Sequence, residues 1–151
     1  MLRRSRYLGL MVLVLGIAAI VMGGVFVAEG KMKADFMSEA MRQEQISLGT
    51  GESEMMIDSA EGAQAAADII REHRRDIAPT YGDLLGTGRF DPTDSTQLTY
   101  AQAMNLENYL YLAVVGFGLT TVVMVSGAFM IVTGLALSGT GAALIALSKR
   151  Q

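Results

Sequence analysis

The chain has 151 residues, 51% of them hydrophobic and 18% charged, with one His, two Pro and neither Cys nor Trp. These counts exclude a disulfide scaffold, a Cys-based zinc module and haem attachment through C-x-x-C-H, and the chain is too apolar to be disordered. The formal net charge is only −3, but acids and bases are segregated along the sequence and the apolar residues gather in two blocks.

The first block, Tyr7 to Ala28, is 22 residues without a charge between Arg6 and Glu29. At about 1.5 Å per residue it covers roughly 33 Å, enough for a hydrocarbon core of about 30 Å. Arg3, Arg4 and Arg6 would also suit a signal peptide. Such peptides carry shorter apolar runs, about 7–15 residues, ending in an A-x-A pattern. Here Phe26-Val27-Ala28 puts a ring where a small residue belongs. The sequence predicts a basic tail at 1–6 and an uncleaved transmembrane helix at 7–28.

Residues 29–108 form an acidic segment in which the first helix continues. Met32, Phe36, Met37, Ala40 and Met41 recur every three or four residues among Lys33, Asp35, Glu39 and Arg42, an amphipathic extension to about residue 46. Leu48-Gly49-Thr50-Gly51 reads as a break. A second helix is predicted over 58–78, with Asp58 as N-cap, Glu61 closing a capping box, and Pro79 at its end. One face carries Ala63, Ala66, Ala67, Ile70, His73 and Ile77; the other is charged. Residues 80–95 are rich in turn formers, including a helix-starting Asp91-Pro92-Thr93-Asp94 turn. A third helix is predicted over 99–108, with Thr99 and Gln102 as a capping box.

The second block, Tyr109 to Ser148, is 40 uncharged residues. A straight helix of that length would measure about 60 Å, twice what a bilayer needs, while two full crossings plus a turn do not fit. The expected solution is one transmembrane helix at 109–137, a break at Ser138-Gly139-Thr140-Gly141, and an interfacial cytoplasmic tail at 138–151. A single long tilted helix is the alternative.

Charge sets the topology. Three Arg precede the first block and Lys149 and Arg150 follow the second, whereas residues 29–108 hold seven bases and all fifteen acids, a net of −8. Basic residues flanking spans favour the cytoplasmic side. Both termini should be cytoplasmic and the acidic segment extracytoplasmic. The fold class that follows is all-α: an antiparallel two-helix transmembrane hairpin with a small helical insert.

Small residues recur every seven positions in both blocks: Gly9, Gly16, Gly23 and Gly30 in the first, Ala113, Thr120, Gly127 and Gly134 in the second, with Gly141 beyond. Such stripes let helix backbones approach in lipid, where no hydrophobic drive acts between helices. They are the expected helix-packing residues, either within one chain or between copies.

Catalytic chemistry finds little footing. With no Cys and a single His, neither a zinc site nor a non-haem iron site can be assembled, and no cofactor is implied. There is no G-x-S-x-G elbow, and the Gly-Thr-Gly triplets at 49, 86 and 139 lack the rest of a nucleotide-binding loop. His73 reads as a packed core side chain, with a pH-sensitive contact as its functional alternative. No ionisable side chain lies inside either span, which argues against a proton-coupled carrier. The acidic segment disfavours nucleic acid. The partners expected are the lipid bilayer and a membrane protein or second copy, through Ala66, Ile70, His73, Ile77, Tyr81 and Phe90. An accessory or interaction subunit is the favoured role; a homo-oligomeric pore or small-solute channel is the alternative.

The order Ala65-to-His73 with Ile69-Ile70-Arg71-Glu72, then Thr80-Tyr81-Gly82-Asp83-Leu84, then Asn105–Tyr111 leading into Val114-Val115-Gly116-Phe117-Gly118 resembles an uncharacterised family of small two-span bacterial membrane proteins, actinobacterial and Chloroflexi-type. The resemblance covers about residues 58–135 and implies a bacterial inner membrane. Some members carry an automatic label as aromatic ring-opening dioxygenases, which one His cannot support.

Overall fold

The computed structural model describes residues 2–48 and 55–150. The protein is all-α in class, two long apolar helices forming a hairpin around a small insert. In chain order the elements are α1 (Leu2–Gln43), a two-residue β1 (Ser47–Leu48) and β2 (Met55–Met56), α2 (Ala60–Ile77), α3 (Tyr81–Leu85) and α4 (Ser95–Arg150). The expected Gly49-Thr50-Gly51 break lies outside the described residues.

α1 runs unbroken for 42 residues, because nothing in it is a proline and its charged second half alternates with Met and Phe at helical spacing. It ends where Gln45 takes a left-handed φ of 51° and donates its N–H to Arg42 O at 3.0 Å. Ile57 N–H then reaches Ile46 O at 2.9 Å, and Ser47 and Leu48 pair antiparallel with Met56 and Met55. The sequence held no strand signal here.

α2 begins one residue later than expected. Ser59, in extended geometry, is the N-cap and accepts from Gly62 N–H at 3.2 Å. Asp58 is taken instead by Arg42, whose Nε donates at 2.8 Å, so its carboxylate is not free to cap. The helix stops at Ile77 because Pro79 forces Ala78 into extended backbone. α3 was not anticipated; Thr80 caps it by accepting from Asp83 N–H at 3.1 Å, and Gly86, at a φ of 56°, closes it.

α4 begins at Ser95 rather than Thr99. The Asp91 side chain accepts from Thr93 N–H at 2.9 Å and from its hydroxyl at 2.7 Å, closing the turn. Asp94 then caps the helix by accepting from Thr96 and Gln97 N–H at 2.8 and 3.2 Å. Thr99 lies inside, its hydroxyl bonded to Ser95 O.

The larger correction lies at the other end. α4 continues through Ser138–Gly141 to Arg150 with no break, 56 residues in all. Each helical glycine costs about 1 kcal/mol relative to alanine, but Gly141 abuts the backbone of Gly9 and Leu13, where a β-carbon has no room, and Ser138 packs against Gly16. Close packing therefore retains a helix that the local sequence would interrupt. Residues 142–147 belong to that helix and do not form a separate segment.

The chain divides into two compact units. One comprises residues 1–33 and 119–151, the paired apolar segments of α1 and α4. The other comprises residues 34–118, the insert and the helix segments that flank it. The core of the insert is Ile57, Ala63, Ala66, Ala67 and Leu110, with Met41, Ile70, Tyr111, Ala113 and Val114 packed against it. The 40-residue uncharged run is thus shared: residues 109–118 fall in the insert unit, and 119–148 pair with α1.

Candidate functional site

Two regions carry the distinctive geometry: the seam between the apolar helices and the polar ties of the insert.

Along the seam, the glycines of α1 stand opposite small residues of α4 in antiparallel order. A β-carbon at Gly134 would lie 2.6 Å from Gly16 O, and one at Gly16 would lie 2.7 Å from Gly134 O. A β-carbon at Gly127 would lie 2.6 Å from Gly23 O, and one at Gly141 would lie 2.7 Å from Gly9 O. Gly30 faces Thr120 O at 3.1 Å and Met124 on the same measure. Real side-chain carbons do not approach so closely, so only glycine permits this backbone contact, with Cα–H groups set against carbonyl oxygens. Gly24 and Gly139 meet nothing within 4 Å and lie off the seam. Ala113 is not in the seam either; it packs on the core of the insert. The Ser138 hydroxyl is buried against Gly16 with no hydrogen-bond partner.

Outward from the seam the side chains are large, apolar and exposed: Val21 at 61%, Val125 at 63%, Phe129 at 71% and Val132 at 66%. A contiguous apolar surface of this kind marks contact with lipid or protein. Both helices are long and apolar enough to cross a membrane.

In the insert, Arg74 on α2 is the central tie. Its Nε donates to Glu107 Oε2 on α4 at 2.7 Å, and the two side chains are only 11% and 8% exposed. Its Nη1 donates to the hydroxyl of Tyr100, which is fully buried, and the guanidinium also sits 4.9 Å from the Tyr100 ring centre. The carboxylate of Glu107 holds Arg74 above its ordinary pKa. Tyr81 of α3 packs on Tyr100 with ring centres 6.2 Å apart. Three helices thus meet at one paired charge. Sequence reasoning missed it: Arg74 falls on the apolar face itself, four residues after Ile70 and seven after Ala67, where a charged residue is not ordinarily expected. The available signal was the seven-residue spacing of Tyr100 and Glu107, which puts both on one side of α4.

A second tie lies nearly two turns earlier on α2. Asp68 accepts from Gln64 at 3.0 Å, from Tyr111 Oη at 2.8 Å and from Arg71 at 2.7 Å. The Gln64 amide first, then the Tyr111 hydroxyl, hold this carboxylate below its usual range. In the turn before α4, the Thr93 hydroxyl, then its N–H, do the same for Asp91.

The residues expected to form one interaction surface divide. Ala66 is core, 1% exposed, and Ile70 is partly buried against that core. His73 is exposed, not packed inside, although it follows Ala66 by two turns on the same side of α2. Ile77, Tyr81 and Phe90 are exposed at 39%, 38% and 36%. Among the described residues no three His, Cys, Asp or Glu side chains converge as metal ligands. The Arg74 contacts with Glu107 and Tyr100 and the Tyr111–Asp68 bond join α2 to α4, while Gln64 and Arg71 reach Asp68 from within α2.

No protein-family model, curated protein or solved structure matches the chain.

Proposed function

We propose that the chain is an integral membrane protein of a bacterial cell membrane, an accessory or interaction subunit without catalytic activity of its own. Both termini would be cytoplasmic and the acidic insert extracytoplasmic. The observation that carries this is the seam: the hairpin uses its glycines internally and turns Val, Leu and Phe outward. That is sensible where lipid is the solvent. The insert, held rigid by Arg74 and Asp68, would present His73, Ile77, Tyr81 and Phe90 to a partner. The family resemblance supports the bacterial setting. Affinity purification of the tagged chain from native membranes is expected to enrich a membrane protein in fixed stoichiometry, and Tyr81→Ala with Phe90→Ala should reduce its yield.

The alternative, a homo-oligomeric pore, draws on exposed Ser126 and Thr140 of α4, hydroxyls turned away from the seam. Mass measurement in detergent and solute flux in liposomes separate the readings. A closed homo-oligomer with flux favours the pore; a monomer or heteromer without flux favours the subunit.

A further inference from the structure

We infer that the tail end of the hairpin holds a binding site for one anionic phospholipid. Arg6, Tyr7 and Leu10 of α1 and Ile145 and Lys149 of α4 line a cavity of about 440 Å³. Leu10 is shared with a second trough of about 320 Å³, lined by Leu10, Met11, Val14 and Leu15 along α1. Two cations and a phenol therefore adjoin an apolar trough at Leu10. A headgroup phosphate and an acyl chain have the same order of chemistry. Charge complementarity is one-sided: residues 1–28 and 108–151 contain no Asp or Glu. An anion entering between Arg6 and Lys149 meets positive charge with no competing carboxylate in either helix segment. Tyr7 is the first residue of the apolar run and Lys149 the first charge after the second, the depth at which aromatic and basic side chains meet headgroups. Basic pockets between helices at this level are suited to acidic lipid headgroups.

The inference rests on the membrane reading above, and the test separates the two. The full chain is reconstituted with equal phosphatidylglycerol and phosphatidylcholine, then stripped by detergent washes, and the retained lipid is counted by native mass spectrometry. Phosphatidylglycerol should be retained in about tenfold excess. Arg6→Gln with Lys149→Gln should bring the two lipids near parity, while Arg3, Arg4 and Arg150 still mark the cytoplasmic side. Val14→Trp, which fills the trough and alters no charge, should also lose the excess; Lys31→Gln should not. Equal retention of both lipids by the unaltered chain, or an excess that survives the double substitution, overturns the site and leaves the hairpin standing. Displacement by excess inorganic phosphate, with Val14→Trp without effect, overturns the lipid as occupant. A chain that stays in the aqueous phase and retains neither lipid overturns both.

Discussion

Arg74 and Glu107 are 33 residues apart in sequence and 2.7 Å apart in space, almost wholly shielded from water. Removing one partner leaves the other buried and uncompensated, which costs about 3 kcal/mol or more. Arg74→Ala should therefore open α2, seen as loss of amide hydrogen-exchange protection over residues 60–77. Arg74→Met combined with Glu107→Leu should recover most of it, since an apolar pair of similar volume carries no desolvation penalty. Unchanged protection in Arg74→Ala would show that the pair does not hold the helix.

Two adjacent glycines make a paired test of the seam. Gly23 lies against the Gly127 backbone, and Gly24 has nothing within 4 Å. Gly23→Val should lower thermal stability in detergent by about 1–3 kcal/mol, the usual cost of overpacking. Gly24→Val should leave it within the error of the measurement. Equal effects would remove the seam from the account.

How much of this was legible beforehand depends on what each residue reveals locally. The two uncharged runs are long enough to announce two apolar helices, and the seven-residue spacing of the glycines is visible by inspection. Which atoms the glycines bring together is not. Ser138-Gly139-Thr140-Gly141 reads as a break because those residues disfavour helix in water; contact of Gly141 with Leu13 and Gly9 reverses that preference. That residues 109–118 belong to the compact unit of the insert cannot be read from an uncharged run, since an uncharged side chain suits a protein core and lipid equally well. Arg74 was missed for a different reason: its position on the apolar face of α2 shows in the spacing, but the partners that neutralise it, Glu107 and Tyr100, lie on another helix.

Capping distinguishes the observed start of α4 from the expected one. Asp94→Ala removes the acceptor for two backbone N–H groups and should cost about 1 kcal/mol. Thr99→Ala, which loses only a bond back to Ser95 O, should cost clearly less. Thermal unfolding followed by circular dichroism reports both, and the reverse order would place the helix start at Thr99.

Acid should loosen the insert through Asp68. Its carboxylate is held below the usual range by Gln64 and Tyr111, so its contribution is present above the unfolded value of about 4 and lost as pH falls through the lower folded value. Stability of the insert should decline over that window, and Asp68→Asn should flatten this part of the profile. A decline of the same size in Asp68→Asn would assign the acid sensitivity to other carboxylates.

The proposed membrane role requires the chain to cross a bilayer twice, and its freedom from cysteine makes that directly measurable. Single cysteines placed at Leu2, Glu52, Arg89 and Gln151 are reacted in intact cells with a membrane-impermeant maleimide. Labelling at positions 52 and 89, with positions 2 and 151 reacting only after permeabilisation, is the predicted pattern. Labelling of all four positions alike, or of either terminus from outside, would contradict it.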